Sequence, residues 1–446
     1  MTSPAISSLE PLARAIVLRL QSAGFRAYWV GGCVRDFVLG RRPVDYDIAT
    51  SAVPDQVEKI FSHTIPVGKK FGIVIVVEGE HQFQVATFRA EGEYLDGRRP
   101  SQVSFGDAQA DARRRDFTVN GLYYDPVTEQ LHDWVGGRAD LHAKVIRTIG
   151  APAERFAEDH LRLLRAVRLA AQLDFQIESE TFAAIKQNAV SIREISAERI
   201  REELSRLFRA PYAGRGLQLL RQSGLLEQVL PEIAATITCA QSPDFHPEGT
   251  VFNHLVLMLE QLRADADPSL PWAVLLHDVA KPVTASIDSE TGRIHFYEHE
   301  RVGADMAREI LERLKFPRKQ SDEIVQTVRY HMQFKDALEM RKATLRRLLL
   351  RSTFPLELEL HRLDCLGSHR RLDVYDFLVE QSKQLQDQPH IRPPLITGDE
   401  LIAMGMKPGP RLGALLAEIR DKQLQDELKT RDEARLWASE RIKAGG

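Results

Sequence analysis

The chain has 446 residues, a formal net charge of −3 and 43% hydrophobic residues. That length is too great for one ordinary core and implies about three domains. The charge leaves no global nucleic-acid footprint, so a polyanionic partner has to be held by local basic patches.

No apolar run approaches the ~18 to 20 residues needed to span a bilayer, and no membrane association is expected. The start, Met-Thr-Ser-Pro, lacks the basic-then-apolar order of a signal peptide. Cys33, Cys239 and Cys365 are widely spaced and form no Cys-x-x-Cys, which argues against a disulfide framework and against structural zinc. The expected compartment is a reducing cytoplasm.

Leu9, Leu12, Ala13, Ile16 and Leu20 recur at helical spacing over residues 8–23 and stop at Gly24. Residues 28–50 follow, the stretch around which the chain is organised. An apolar run ends in Gly31-Gly32, a short amphipathic segment carries Arg35 and Asp36, and a turn at Gly40 to Pro43 leads to a strand-like stretch with Asp45 and Asp47. Alternate residues of a strand share a face, so the two acids are expected to point the same way. Paired carboxylates repel unless a cation lies between them, and carboxylates plus substrate phosphates are what magnesium chemistry uses. Glycines let backbone N–H groups approach a phosphate, and Arg35 can neutralise it. The acid pair alone would equally fit a solvated hairpin.

Pro54 to Phe61 suits a short helix, and Ile73 to Val77 and Phe83 to Phe88 read as buried strands. Arg89 to Pro100 reads as a loop. Arg113-Arg114-Arg115 would ordinarily be a solvated face, but the run leads through Asp116 straight into an apolar segment, which also fits one arginine turned inward toward a phosphate. Asp133, Gly136 and Gly137 are expected to close a hairpin before Asp140.

Residues 155–172 read as one helix with Leu161, Leu164 and Val167 inward and Asp159, Arg162, Arg165 and Arg168 along a stripe. Such a stripe can be a solvated face. It can also read bases, because cytosine and adenine each offer a donor beside an acceptor on the pairing edge, whereas uracil and guanine reverse the order. An Asp acceptor beside an Arg donor therefore accepts C and A and refuses U and G.

More helix follows to about 236, and residues 237–250 look like a boundary. His254, His277-Asp278, His299, His331 and Asp364 each lie in or beside an apolar helical pattern. Imidazoles and carboxylates on neighbouring helices can cage a divalent metal that activates water. Residues 341–351 form a basic amphipathic helix, either a solvated face or a phosphate patch. Pro393-Pro394 marks a last boundary. There are no repeats or low-complexity segments.

Taken jointly, these motifs resemble the class II tRNA nucleotidyltransferase and bacterial poly(A) polymerase family with an HD domain behind it. Val30-Gly31-Gly32-Cys33-Val34-Arg35-Asp36 through Asp45-Tyr46-Asp47 looks like the family's nucleotidyltransferase signature. Arg114 to Gly121 looks like its second motif, and Glu158-Asp159-His160-Leu161-Arg162 like its amino-acid template for CTP and ATP. The resemblance implies an α+β architecture: a polymerase-beta-like head at 1–150, an all-α neck at 151–236, a helical HD domain at 237–390 and a helical tail at 391–446. It implies magnesium on Asp45 and Asp47. Gly32, Arg35 and Arg115 would lie on the nucleotide's phosphates and sugar, and Asp159, Arg162, Arg165 and Arg168 in the base pocket. It further implies a second divalent metal on His254, His277, Asp278 and Asp364, and a mobile loop at 91–100 that helps the change from C to A addition.

Gln84 stands where the family usually has an acid. The expected activity is addition of CMP and AMP to the tRNA 3′ end, with CTP and ATP as substrates. The alternatives are a poly(A) or A-only product, an HD-type phosphohydrolase, and an RNA-binding factor with a decayed site.

Overall fold

The computed structural model describes residues 9–66, 69–90, 104–242, 246–386, 391 and 393–444. The expected loop at 91–100 lies outside the described residues. The chain divides into two compact units, Met1–Pro231 and Glu232–Gly446.

The first unit opens with α1 (Leu9–Ser22), whose buried Ala13, Ile16, Val17 and Leu20 form the apolar stripe read from the spacing. β1 (Ala27–Val30), α2 (Gly32–Val38), β2 (Asp47–Thr50) and α3 (Pro54–Ile60) follow, then β3 (Thr64–Ile65), β4 (Ile73–Glu78) and β5 (His81–Thr87). A short ribbon pairs β6 (Arg89–Ala90) with β7 (Ser104–Phe105) ahead of α4 (Ala108–Arg113). β8 (Leu122–Asp125) and β9 (Gln130–Asp133) complete a seven-stranded sheet in the order β3-β4-β5-β2-β1-β8-β9. Only β2 and β5 run parallel; the other neighbours in this sheet are antiparallel. β2 thus sits at the centre, with Ile48 and Ala49 buried, and the first residue of that central strand is Asp47.

Three local expectations are corrected. Asp45 precedes β2 rather than lying in it, so the two acids share a strand entrance, not a strand. Gly136 and Gly137 do not close a hairpin; β8 and β9 close it earlier, and Gly137 begins α5 (Gly137–Ala143). Asp133 caps that helix, its Oδ1 accepting from the N–H groups of Val135, Gly136 and Gly137 at 3.1, 2.8 and 3.0 Å. Finally, the expected single helix over 155–172 is two: α6 (Pro152–Glu158) and α7 (Leu161–Leu173). Asp159 between them is extended, with φ −149° and ψ 102°, so it does not continue the stripe but stands at its head.

α7 is the most enclosed helix of this unit. Besides the predicted Leu161, Leu164 and Val167, it buries Leu163, Ala166, Leu169, Ala170, Ala171 and Leu173. It packs on the turn Ala189–Glu194 that follows α8 (Ser179–Asn188), on the helix Ala213–Gln222, and on α9 (Ala197–Leu207), which turns Ile200, Glu203 and Leu204 inward.

The second unit is almost all helix. Val251–Glu260, His299–Arg313 and Phe354–Gly367 carry His254, His299 and Asp364, His277 and His331 directly follow Leu270–Leu276 and Arg318–Tyr330, and one short ribbon pairs Ala285–Ile287 with Ile294–Phe296. In the basic helix Lys342–Leu349 the charges are taken up within the unit. Arg346 Nη1 donates to Leu424 O at 2.8 Å and to Asp426 Oδ1 at 2.7 Å, and Arg347 pairs with Asp421. No described helix is long and apolar enough to cross a membrane.

Candidate active site and imidazole cluster

The glycine pair works through Gly31. Its φ of 76° is a left-handed conformation that glycine adopts at little cost, and it swings the chain from β1 into α2. A Cβ there would come within 3.1 Å of Arg115 Nη1, so the bare backbone is also what admits that guanidinium. Arg115 is held from behind: its Nε donates to Tyr123 Oη at 3.0 Å and its Nη2 to Asp111 Oδ2 at 3.4 Å, while Tyr123 Oη donates to the same Asp111 oxygen. Asp111 and Tyr123 lie on α4 and β8, so the arginine is braced from two elements.

Asp47 lies within electrostatic reach of Asp45 and Arg115. Burial and the Asp45 carboxylate push its pKa above the usual carboxylate range, against the pull of Arg115. A carboxylate that is costly to ionise beside a second acid is the electrostatic signature of a cation seat, and the pair fits a hard ion held by oxygen. Gln84 sits in β5 one step before Val85, the residue that pairs with Ile48, which brings it level with Asp47. An amide there adds no negative charge.

Arg35 is buried and committed. Its Nε and Nη2 donate to Asp36 at 2.9 and 3.0 Å, and its Nη1 to Asn120 Oδ1 at 2.9 Å. It ties α2 to the turn Thr118–Asn120.

Asp159 and the three arginines are brought to the same region by ties to the segment around Arg115. Arg155 Nη2 donates to Arg115 O at 2.9 Å, and Arg162 Nη2 to Arg114 O at 3.4 Å. Arg162 Nη1 also donates to Arg155 O at 2.8 Å and to Glu158 Oε2 at 2.5 Å. Three of its five N–H groups are thus engaged and two remain for a ligand. Asp159 Oδ1 accepts from Leu161 N at 3.1 Å and Oδ2 from Arg199 Nη2 at 2.9 Å, which leaves lone pairs on both oxygens.

Arg165 donates through Nε and Nη2 to Asp116 Oδ2 at 2.9 and 2.5 Å. Burial works to raise the Asp116 pKa, but Arg165 together with the hydrogen bonds from Asn120 and the Phe117 N–H holds the carboxyl well below its usual range. Arg168 Nε donates to Glu203 Oε2 at 2.6 Å. The stripe is therefore neither solvated nor free. Its arginines form a row of cations, each fixed by a carboxylate (Glu158, Asp116 and Glu203), and two of those, Asp116 and Glu203, had no expected role. Only Asp116 had a sequence signal, its place directly after the three arginines.

In the second unit the histidines converge. His254 Nε2 lies 3.0 Å from Asp364 Oδ1, and its Nδ1 lies 2.8 Å from Glu248 Oε1. Burial works to lower the His254 pKa, yet Asp364 and Glu248 together lift it to about 9. His277 Nε2 is 3.2 Å from Asp278 Oδ2, and the His254 and His277 rings are 5.6 Å apart between centroids. His254, His277 and Asp278 bring ligand atoms within 4.8 Å of one another, as do Asp278, His299 and His331, and His246, Glu248 and His254. Glu248 and His246 had not been singled out in the sequence; they precede the first helix in the segment read as a boundary.

Residues 27–147 match the model of the Poly A polymerase head domain, 174–237 that of the probable RNA and SrmB-binding site of polymerase A, and 250–361 that of the HD domain. The chain carries a poly A polymerase head domain, the polymerase A RNA-binding segment and an HD domain, in that order along the sequence. A CCA-adding enzyme of Staphylococcus aureus is 49% identical over 203 residues, 45% of this chain and 50% of that protein. The chain thus spans about half the length of the curated relatives it matches. The crystal structure of the Bacillus stearothermophilus CCA-adding enzyme in complex with CTP is 27% identical, with a TM-score of 0.76 over 99% of each chain. The Thermotoga maritima CCA-adding enzyme complexed with tRNA shares the fold at 19% identity, with a TM-score of 0.56.

Proposed function

We propose that the chain adds CMP and AMP, without a nucleic-acid template, to the 3′ end of tRNA. The observation that carries this reading is that Arg162 is tied to the Arg114 carbonyl, next to Arg115, with Asp159 held as an acceptor just ahead of the same helix, while Arg115 itself lies against Gly31 and within reach of Asp47. Within it residues 1–150 serve as catalytic head, 151–236 as base-selecting neck, 237–390 as HD domain and 391–446 as tail.

Asp45 and Asp47 would hold magnesium, which supplies charge neutralisation at the attacking and leaving oxygens. The chain's own groups do the rest. Arg115, braced by Tyr123 and Asp111, takes the triphosphate, with Gly32 at the start of α2 lining the same site and Arg35, bound to Asp36 and Asn120, holding α2 in place. Asp159 accepts from the exocyclic amine of cytosine or adenine, and Arg162 donates to the adjacent ring nitrogen. Arg165 and Arg168 line the pocket in charge-neutral pairs with Asp116 and Glu203. The 3′ oxygen forms a bond to the α-phosphorus as the bond to pyrophosphate breaks. The hydroxyl proton does not pass to Gln84, which has no basic group.

Purified protein incubated with tRNA lacking its CCA end and with single labelled nucleotides tests this. CMP and AMP incorporation is expected and UMP is not; equal UMP incorporation, or none of any kind, overturns it. A ladder of many adenylates with ATP alone would point instead to a poly(A) product.

The imidazole cluster favours a second, independent reading for the other unit. His254, His277, Asp278 and Asp364 would hold a divalent metal for phosphate-ester hydrolysis. His277→Ala should then abolish hydrolysis of a phosphate ester and leave transfer intact.

A further inference from the structure

Asp159 belongs to neither of the helices beside it. With φ −149° it is extended between α6 and α7, so helix geometry does not fix where its carboxylate points. Two hydrogen bonds do. Oδ1 accepts from Leu161 N at 3.1 Å, a local bond that turns with the segment itself. Oδ2 accepts from Arg199 Nη2 at 2.9 Å, and Arg199 lies on α9, 40 residues away. Among the described residues, this is the one hydrogen bond that ties the Asp159 side chain to another element.

Arg199 serves little else. Among the described residues its ion pair is with Asp159, and its Nη1 is buried without a hydrogen-bond partner. The two side chains are 25% and 22% exposed, and an ion pair that water reaches contributes little to stability. What the pair supplies is direction. Residues four apart on a helix share a face, and Glu203 stands four after Arg199 on α9. Glu203 Oε2 accepts from Arg168 Nε at 2.6 Å, and its Oε1 is 3.6 Å from Arg165 Nη1. One face of α9 therefore orients both the acid at the head of the row and the cations at its end.

Accepting a base and refusing one make different demands on Asp159. Cytosine and adenine bring an amine, which draws a carboxylate into place even when that carboxylate is loosely held. Uracil and guanine bring a carbonyl oxygen to the same position. Oxygen against carboxylate is repulsive only while the carboxylate cannot turn away, so refusal requires a rigid acid. We propose that Arg199 is a positioning residue for base choice: by fixing Asp159 Oδ2 it sustains the refusal of UTP and GTP. The inference rests on the reading of Asp159 as the acceptor of the base amine.

The test uses the full chain with tRNA lacking its CCA end. It reads kcat/KM for CTP, ATP, UTP and GTP in the wild type, R199M, R199K, D159A and R199M/D159A, together with inhibition by pyrophosphate and the melting temperature. R199M should lose roughly tenfold of the preference for CTP over UTP, the scale of one base-reading contact, chiefly through a rise for UTP. R199K, which keeps a cationic donor, should fall between R199M and the wild type. Pyrophosphate inhibition should not change, because Arg115 is untouched, and the melting temperature should stay within about 2 °C. R199M/D159A should lose no more preference than D159A, since Arg199 acts through that acid. Wild-type preference in R199M, with or without a lower melting temperature, overturns the positioning role, and so does a double variant that loses more than D159A. When D159A is relaxed and R199M is not, the reading of Asp159 stands and the role of Arg199 falls. Unchanged preference in D159A overturns both.

Discussion

Asp47 carries a cost in the metal-free molecule, because it is held out of water beside Asp45. Asp47→Asn removes that charge with almost no change of shape. We expect the variant to lose at least ~10³-fold in transfer rate, the scale of removing a group that organises phosphoryl-transfer charge. Without added magnesium its melting temperature should equal or exceed that of the wild type; a fall of several degrees would mean that the carboxylate is there for the fold. Tyr123→Phe cuts the Oη link between Asp111 and Arg115. It should raise KM for CTP and ATP by roughly three- to tenfold, the worth of about one hydrogen bond, while the CTP-to-UTP preference stays. Asp159→Ala should do the opposite, admitting UTP with little change in the affinity for triphosphate. The acids and glycines were legible because each acts on its own sequence neighbours. Tyr123 and Asp111 were not, since neither carries a motif and each acquires its role only when α4 and β8 meet at Arg115.

At the scale of elements, α5 starts where there is no room for a side chain. A Cβ on Gly137 would fall on the Thr118 carbonyl oxygen, in the turn that also receives Arg35 through Asn120. Gly137→Ala is expected to destabilise the first unit by about 1–3 kcal/mol, the usual penalty of overpacking, seen as a lower melting temperature. The break between α6 and α7 shows why periodicity misled over 155–172. The apolar spacing continues through Asp159 and His160 without a gap, and neither residue forbids a helix. What ends α6 is tertiary: Arg155 and Arg162 reach the carbonyls of Arg113, Arg114 and Arg115, while Asp159 turns to Arg199 on α9. Composition likewise found the histidines but could not order them, because helix packing decides which imidazole faces which carboxylate. The basic helix near 342, left open as face or patch, has Arg346 and Arg347 paired with Asp426 and Asp421, 80 and 74 residues away.

The whole molecule comprises two compact units with separate candidate chemistry, one in each. Calorimetry should therefore resolve two transitions, since separate cores unfold as separate cooperative units. CTP with magnesium should raise only the transition of the first unit, by roughly 2.7 kcal/mol at one hundred times its dissociation constant. Chelator should lower only the other. A single transition responding to both additions would mean that the units fold as one. The sequence read correctly that there is a mixed head followed by helices. It read a border at 237–250; of that stretch, Glu248 belongs to the second unit and pairs with His254.

The pairing of Arg162, Arg165 and Arg168 with Glu158, Asp116 and Glu203 has a historical consequence. Each arginine is oriented by an acid, two of them on other segments of the chain, so exchanging one residue of the row leaves an unmatched charge in a buried place. On the proposed base-reading role of this row, a single substitution would blur which bases are accepted without rewriting the choice into its complement. A lineage that came to prefer uracil and guanine would have to replace readers and counter-ions together, through intermediates that fold poorly. On that proposal, the alphabet of this protein would be guarded against drift by the same ion pairs that hold its helices in place.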